Sequence, residues 1–365
     1  MDQIKMKRTG FTRREMLAMG AAGAAAGLMG NARMAKAAVS DMVWATWDSN
    51  GHPEYVAGFE KETGVKVKLS YLSSEDTQFA SLKTGAAADW DMINPSLNGS
   101  WRYIKAGLLK ELDLSKIPNA SLMYDAFKGT PKVMDEAGKT FAIPYLWGLN
   151  PIVYRKDKFD KEPDYTTLFD AKYSGQLAMR DYALESIAIA GLVAGVPRDK
   201  VFVMEAKELA EAKKLLVAQK PLLRTYWQTI GDLTNLFATG EVSCAFSWRV
   251  PYDELQAKLP MGMAKPKAGV MGWCDCFAMP ANLPADKTEI GYRFINYLLG
   301  PSYSADVARI GHYATTSSVI RDKLSHEEQA TIFVDDMDVM KSFMWPVAPP
   351  NYSDWLKVWN EVKAS

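Results

Sequence analysis

Short apolar runs and amphipathic segments alternate along the chain from residue 42 onward. Residues 42–47 are apolar and predict a first strand, and Pro53 begins a segment of helical periodicity that Gly64 ends. Residues 65–69 alternate apolar and polar side chains, as a half-buried strand does. Later segments predict a helix over 75–84, a strand over 91–93 and a helix over 100–109. The order β-α-β-α-β is typical of a parallel sheet with helices on both faces.

The same alternation begins again after about residue 150. It predicts strands over 176–179, 222–225 and 242–248, and helices over 184–194, 205–218 and 231–238. The apolar segment 141–147 precedes the second series and the apolar segment 273–279 follows it, and the two predict the places where the chain crosses from one series to the other and back. We therefore expect an α/β fold with two lobes, each a mostly parallel sheet flanked by helices, with the two strand crossovers as the hinge.

The first 37 residues differ in character from the rest of the chain. A basic start is followed by a mild apolar stretch over 16–30 and by the small-residue motif Ala35-Lys36-Ala37. This pattern predicts an export signal cleaved near Ala37, and therefore a periplasmic protein. Residues 12–17, with Arg13 and Arg14, are similar to the twin-arginine export motif. An N-terminal helix of the folded protein is the alternative interpretation.

The predicted crossings divide the rest of the chain between the lobes. Lobe 1 is expected to comprise 38–147 with about 276–318, and lobe 2 to comprise 148–275 with about 319–365. Each lobe would then contain residues from separate parts of the sequence.

Composition narrows the classes of function. The chain has 365 residues, 48% of them hydrophobic, and 43 basic residues balance 43 acidic ones. A balanced charge argues against a nucleic-acid partner, which needs a basic face. Removal of the signal would take away seven basic and two acidic residues, leaving an acidic excess of five. Three histidines and three cysteines are too few for a multi-histidine metal site or a disulfide-built fold.

Polar and aromatic residues follow several of the predicted strands. Because ligands bind beyond the carboxyl ends of parallel strands, these positions are candidate ligand contacts. They are Trp47, Asp48, Ser96, Asn98, Arg180, Asp181, Glu185, Trp248 and Arg249.

The second crossing carries the most specific pattern. Side chains two apart on a strand share a face, so Trp273 and Asp275 should point together, with Cys274 and Cys276 on the opposite face. An aromatic ring beside a carboxylate can stack on an alkyl amine, attract its charge and form a charge-assisted hydrogen bond. A carboxylate within an apolar strand also needs a partner.

Structural interpretations remain open for the same residues. The tryptophans could belong to the core, Asp48 and Asp181 could cap helices, and Glu185 could complete a first helical turn. Cys274 and Cys276 are expected to pack in the core, and a disulfide of either with Cys244 stays open.

Four stretches of the sequence resemble the periplasmic spermidine/putrescine-binding proteins. They are the Trp47-Asp48 pair with FEKETGVKV at 59–67, IPYLWG at 143–148, WCD at 273–275 and AMPAN at 278–282. The resemblance implies a two-lobed solute-binding protein of an ABC importer that closes over its ligand and partners with the transmembrane subunits of a permease. It implies that the cleft is lined by Trp47, Asp48, Ser96, Asp181, Glu185, Trp248, Trp273, Asp275 and Tyr313, or His312 in place of Tyr313.

Three functions follow from these patterns. The first is capture of a polyamine, putrescine or spermidine. The second is capture of a zwitterion such as 4-aminobutyrate, whose carboxylate Arg180 or Arg249 would bind as a fork. The third is an exported enzyme, which the absence of the common catalytic motifs disfavours. We expect no cofactor, no metal and no nucleic acid, and a monomer.

Overall fold

The computed structural model describes residues 40–335 and 337–365. The predicted export signal, including its cleavage position, lies outside these residues. Within them, no helix is long and apolar enough to cross a membrane.

Eleven strands lie in the described part of the chain. They are β1 (Asp41–Thr46), β2 (Lys66–Tyr71), β3 (Ile143–Asn150), β4 (Ile152–Arg155), β5 (Leu177–Arg180), β6 (Leu223–Trp227), β7 (Cys244–Phe246), β8 (Met261–Ala264), β9 (Val270–Phe277), β10 (Ala314–Thr315) and β11 (Phe343–Met344).

The α-helices of the same residues are mostly short. They are α1 (Pro53–Thr63), α2 (Glu75–Thr84), α3 (Ser100–Lys105), α4 (Ala183–Val193), α5 (Ala206–Gln219), α6 (Ile230–Thr239), α7 (Val250–Leu255), α8 (Ala285–Leu298), α9 (Pro301–Asp306), α10 (His326–Thr331) and α11 (Tyr352–Ala364).

Helix α1 begins and ends where local chemistry places it. Pro53 occupies its first turn, where a missing N–H costs no hydrogen bond, and the His52 side chain accepts from the Glu54 N–H. Gly64 ends the helix at φ 73°, a left-handed conformation that glycine adopts without strain. The predicted bounds of this helix, 53–63, are confirmed, and the N-terminal cap is His52 rather than Asp48.

Two larger sheets organise the molecule, and the chain passes between them twice. The order β10-β3-β9-β11 forms one sheet, and β6-β5-β7-β4-β8 forms the other, while β1 and β2 pair separately in parallel. The first passage runs from β3 to β4 and the second from β8 to β9. These are the two predicted crossovers, and β3 and β9 lie side by side with antiparallel register. We call the part built on the four-stranded sheet lobe 1 and the part built on the five-stranded sheet lobe 2.

Both larger sheets are mixed. One strand of each runs against the others, β3 in lobe 1 and β4 in lobe 2, and the remaining strands share one direction, which refines the expectation of mostly parallel sheets. The predicted strand over 91–93 is wrong. Met92 and Ile93 each make one isolated bridge, to Trp44 and Ala278, and Pro95 then interrupts the ladder.

Each lobe has its own apolar core. In lobe 1, Tyr145 of β3 stacks on Phe277 of β9 with ring centroids 3.6 Å apart, and Trp44 packs against the same ring. In lobe 2, the C-terminal helix α11 places Trp355 and Trp359 in a core shared with α4 and α5. The strands β3 and β9 are therefore packed together by close aromatic contacts.

Candidate functional site

Trp273 and Asp275 form the centre of the candidate site on β9. Both side chains are half-buried, whereas Cys274 and Cys276 on the opposite face are buried, as the alternation predicted. The Trp273 ring meets the Tyr313 ring edge to face, with centroids 5.3 Å apart. The strand thus presents a carboxylate and an aromatic wall side by side.

Gly148 of β3 makes room for the Trp273 ring. The two residues are partners in the β3–β9 register, and a Cβ at position 148 would lie 2.6 Å from Trp273 Cζ2. No real Cβ tolerates that distance, so any larger residue would displace the indole ring. The absence of a side chain at Gly148 therefore fixes where Trp273 can lie.

A buried hydrogen-bond network orients Asp275. Asn50, only 1% exposed, donates from Nδ2 to Asp275 Oδ2 at 2.7 Å and to the Tyr145 hydroxyl at 2.9 Å. Asn94 donates to the same hydroxyl at 2.8 Å. Within the described part of the chain, the other carboxylate oxygen of Asp275 accepts no hydrogen bond, so it can accept one from a ligand.

The environment of Asp275 favours an incoming cation. Burial raises the pKa of its carboxyl from 3.8 to about 7, the nearby charge of Glu75 adds to the rise, and the hydrogen bond from Asn50 opposes it. Burial likewise raises the pKa of Glu75, which Arg102 and Ser96 partly offset. Two desolvated carboxyls close together disfavour their own ionisation, and a bound cation would relieve both.

Ser96 joins these two acids. Its backbone bridges to Asp275, and its hydroxyl donates to Glu75 Oε2 at 2.9 Å. Asn98, two residues on, accepts from the Lys132 ammonium and donates to the Pro346 carbonyl at 2.7 Å. Ser96 thus lies in the acidic part of the site, whereas Asn98 ties the loop to the C-terminal segment.

Arg180 and Glu185 form an ion pair on the lobe 2 side. Arg180 Nη1 donates to Glu185 Oε2 at 2.8 Å, and Asn150 donates to the other carboxylate oxygen at 3.0 Å. The guanidinium carbon lies 4.5 Å from the centre of the Trp248 ring. Arg180, Glu185 and Trp248, which were predicted separately, are therefore in contact. Both carboxylate oxygens of Glu185 are occupied by hydrogen bonds from the protein itself.

Asp181 makes structural contacts within lobe 2. Asp181 accepts from Trp359 Nε1 at 3.0 Å and from Lys363 Nζ at 3.1 Å, and Gln228 donates to its other oxygen. Burial would raise the pKa of Asp181, but the hydrogen bonds from Gln228, Lys363 and Trp359 outweigh it and lower the pKa. The structure places this carboxylate against the C-terminal helix instead of beside Asp275.

Arg249 is 4% exposed and is held from both lobes. It pairs with Asp253 through two nitrogens and donates from Nη1 to the His312 carbonyl at 2.8 Å and to that of Thr331. His312 itself has φ 55° and directs Nδ1 to Asp253 at 3.1 Å. Tyr313, not His312, therefore contacts Trp273.

Trp47 and Asp48 occupy the turn after β1. The Trp47 carbonyl accepts from the N–H groups of Asn50 and Gly51, at 3.1 and 3.0 Å, and the exposed Asp48 caps the next N–H. Burial raises the pKa of Tyr313, and the charge of Asp48 adds to the rise, so Asp48 lies on the Tyr313 side of the site. The turn thus brings Asn50 to Asp275.

Sequence reasoning missed three residues of this arrangement. Asn50 and Glu75 are near Asp275, and Tyr182 lies over the Arg180 guanidinium at 4.9 Å. Asn50 lies two residues after Asp48, which was predicted to line the cleft, so its position in the sequence could have marked it as a site residue. In the sequence, Glu75 is an ordinary acidic residue of a first helical turn. Its contact with Ser96 depends on the tertiary fold and could not be predicted.

No metal or redox centre is evident in the described region. Residues 40–335 and 337–365 contain no group of three or more His, Cys, Asp or Glu side chains that could hold a metal ion. All three cysteines of the chain, Cys244, Cys274 and Cys276, are buried and free of disulfides. They pack in the core, and burial raises the pKa of the Cys244 thiol, which makes it a poor nucleophile.

Gly148→Ala should displace the Trp273 ring. Because the new Cβ would lie within 3 Å of two ring atoms, the ring must leave its rotamer, which costs roughly 1 kcal/mol. We expect amine affinity to fall about three- to tenfold, with the fold retained, as measured by calorimetric titration. Gly231→Ala is the matched control, since nothing lies within 4 Å of its Cβ position. Equal affinities of the two variants would contradict the assigned place of Trp273.

Comparisons with known proteins identify the family of the chain. The model of the family described as bacterial extracellular solute-binding protein matches residues 54–331. The spermidine/putrescine-binding periplasmic protein of Escherichia coli K12 is 28% identical over 304 residues, covering 82% of this chain and 84% of that protein. The putrescine-binding periplasmic protein SpuD of Pseudomonas aeruginosa is 26% identical, with 98% and 99% covered.

Solved structures show the same fold. The spermidine/putrescine substrate-binding protein PotD of Streptococcus pneumoniae superposes with a TM-score of 0.75 at 21% identity, covering 89% of this chain and 99% of that one. The expected two-lobed α/β fold and the resemblance to the polyamine-binding proteins are thereby confirmed. The chain belongs to the bacterial extracellular solute-binding proteins, a family of ABC-transporter binding proteins rather than enzymes.

Proposed function

We propose that this protein captures a solute with an alkylammonium group in the cleft between its lobes and delivers it to a membrane permease of an ABC importer. The observation that carries the proposal is Asp275. Its carboxylate has a free oxygen, a pKa raised to about 7 and an aromatic wall of Trp273 and Tyr313 beside it. The positive charge of a bound ammonium group would stabilise the ionised form of Asp275, which burial destabilises.

Each neighbour has a separate part in this capture. Ionised Asp275 accepts a charge-assisted hydrogen bond from the ammonium group. The Trp273 face covers the adjoining methylene groups and attracts the charge. Asn50 holds the carboxylate in one orientation, so little freedom is lost when the ligand binds.

The relatives' names favour putrescine or spermidine as the ligand. We propose that the binding set comprises Trp47, Asp48, Ser96, Trp248, Trp273, Asp275 and Tyr313, with Asn50 and Glu75 added. We leave out Asp181, Glu185 and Arg249, because other side chains and carbonyls already occupy their polar atoms.

A zwitterion such as 4-aminobutyrate is the second candidate. Arg180 favours it, since a guanidinium on the lobe 2 side can bind a carboxylate as a fork while Asp275 binds the amine. The two candidates share the ammonium group and differ at the far end of the molecule.

We further propose the cellular context of the protein. Residues 1–37 would act as a twin-arginine export signal cleaved near Ala37, releasing a monomer into the periplasm. We propose lobe boundaries in the β3–β4 and β8–β9 connections, in place of 147/148 and 275/276, which would divide strands β3 and β9. The partners would be the transmembrane permease subunits and the small-molecule amine.

A thermal-shift screen tests the proposed ligand class. A ligand that binds only the native state raises the melting temperature by mass action. We expect amines to give the largest shifts in a panel of polyamines, amino acids and sugars. A sugar or a simple anion giving the largest shift, with no response to amines, would contradict ammonium capture.

Closure around the ligand is expected to make the protein more compact. The lobes are joined by the β3–β4, β8–β9 and β11–α11 connections, which suits hinge bending. Small-angle scattering should give a smaller radius of gyration at saturating putrescine or 4-aminobutyrate than without ligand. The Asp275→Asn protein at the same ligand concentration is the control, and should show a weaker change. An unchanged radius in a protein shown by calorimetry to be saturated would argue against hinged closure.

A further inference from the structure

The Arg180 guanidinium lies among three aromatic rings of lobe 2. Its carbon is 4.5 Å from the centre of the Trp248 ring, 4.9 Å from that of Tyr182 and 5.7 Å from that of Trp227. We call Tyr182, Trp227 and Trp248 the aromatic box. Aromatic boxes of this kind recognise cationic ligands, because each ring face attracts positive charge. Here the cation is a side chain of the protein.

Glu185 anchors Arg180 in the aromatic box. The carboxylate has 5% side-chain exposure and accepts from Arg180 and from Asn150 at 2.8 and 3.0 Å. Arg180 retains 25% exposure, and within the described residues its Nε and Nη2 have no protein hydrogen bond. A guanidinium has five N–H donors in a fixed fork, so most of them remain available to a ligand.

The aromatic box lies at the far end of the candidate site from Asp275. On β3, Leu146 is the register partner of Asp275 and Asn150 that of Met271, with Gly148 and the Trp273 ring between them. Four residues of strand correspond to roughly 13 Å. A ligand whose ammonium group meets Asp275 and whose chain crosses Trp273 therefore points toward Asn150, Glu185 and Arg180.

The aromatic box also faces lobe 1. Burial raises the pKa of Tyr182, and the charges of Glu185 and Glu75 both add to the rise. Tyr182 is therefore close to carboxylates of both lobes. This places Arg180 at the boundary between the lobes, where a ligand spanning them would end.

We propose that Arg180 occupies the place a second ligand ammonium would need, and that it binds a carboxylate at the far end of the ligand. The inference rests on the proposed capture of an ammonium by Asp275 and narrows the ligand class to ω-amino acids. A second ammonium at this end would meet a like charge covered by rings and find Glu185 already paired. A carboxylate would meet unused donors in fork geometry.

A matched set of four-carbon ligands separates the two ends. Putrescine carries two ammonium groups, 4-aminobutyrate one ammonium and one carboxylate, butylamine the ammonium alone and butyrate the carboxylate alone. The six-carbon pair 1,6-diaminohexane and 6-aminohexanoate removes ligand length as a cause of any difference. Affinities are measured by calorimetric titration of the full mature chain. We expect the amino acid of each pair to bind at least about tenfold tighter than the diamine.

Variants of Arg180 test its part directly. Arg180→Gln should weaken amino-acid binding about tenfold or more, to the level of butylamine, and strengthen diamine binding. Arg180→Lys keeps the charge but loses the fork, so amino-acid affinity should fall while diamine affinity stays as weak as in the native protein. Arg224→Gln is the matched control, because Arg224 is an exposed arginine of the same sheet paired with Glu241.

Folding is controlled separately. Arg180→Gln leaves Glu185 buried without its partner, so the double variant with Glu185→Gln removes both charges and should recover stability. Its ligand preference should match that of Arg180→Gln.

The outcomes distinguish this inference from the proposed function. Diamines binding tighter than amino acids in the native protein, or an unchanged preference in a folded Arg180→Gln protein, would overturn the role of Arg180 and leave ammonium capture standing. Failure of every ammonium ligand to bind would overturn ammonium capture, and the inference with it.

Discussion

Asp275→Asn is expected to weaken amine binding about ten- to hundredfold. The substitution keeps the shape of the side chain and its contact with Asn50 but removes the charge. A charge-assisted hydrogen bond contributes roughly 1.5–3 kcal/mol, and about 1.4 kcal/mol corresponds to a factor of ten in affinity. The loss should be similar for diamines and monoamines, because both use an ammonium group at this position.

The same variant should melt at a higher temperature without ligand. The pKa of Asp275 is raised to about 7 in the folded protein from 3.8, so the native state binds more protons than the unfolded state between these values. Stability from this group is therefore lost as pH rises through that window, at up to roughly 1.4 kcal/mol per pH unit. Asparagine removes that penalty above about pH 7.

Two measurements on one preparation check both effects. Calorimetric titration gives the amine affinity, and a thermal melt at pH 8 without ligand gives the stability. Asp89→Asn is the matched control, since it removes an exposed acid of the same lobe. Normal affinity in a well-folded Asp275→Asn protein would remove Asp275 from the site. A lower melting temperature with normal affinity would make it a structural residue.

Amine affinity should fall steeply below about pH 7. Only ionised Asp275 forms the charge-assisted pair, and its pKa in the free protein is about 7. Each pH unit below that value should therefore cost up to about tenfold in affinity, approaching hundredfold at pH 5. Above pH 7 the affinity should level off. Alkyl ammonium groups stay charged throughout, because their pKa values lie near 10.

The groups around Asp275 indicate what else could titrate. Glu75 has a raised pKa and could add to the slope, whereas burial raises the pKa values of Tyr145 and Tyr303 further above neutrality and keeps both hydroxyls neutral. Titrations at half-unit steps from pH 5 to 8 should show a flattened profile in Asp275→Asn. A pH-independent affinity in the native protein would contradict the raised pKa.

Local sequence signals predicted much of the secondary structure. The bounds 53–63 and 75–84 agree with α1 and α2, because proline or serine at the start and glycine at the end are short-range determinants. The prediction of a strand over 91–93 was wrong, because Met92 and Ile93 form only isolated bridges with neighbouring segments. The helix over 100–109 ends at Lys105, because Gly107 adopts φ 66° and turns the chain.

The site was predictable where strand alternation alone decides the geometry. Trp273 and Asp275 share a face of β9 by the period of a strand. The partners of the charged residues were not predictable, since they depend on contacts far apart in sequence. Asp181 meets Trp359 and Lys363 of the C-terminal helix, and Asn50 reaches Asp275 across 225 positions.

Proton release on binding tests the central claim most directly. Putrescine and 4-aminobutyrate are titrated into the protein at pH 6 in buffers of different ionisation enthalpy, which gives the number of protons exchanged. Asp275 is mostly protonated there when free and ionised when it binds an ammonium group. We predict close to one proton released per ligand bound, and almost none at pH 8 or in Asp275→Asn. Amine binding without proton release at pH 6, or with the same release in Asp275→Asn, would contradict ammonium capture by this carboxylate.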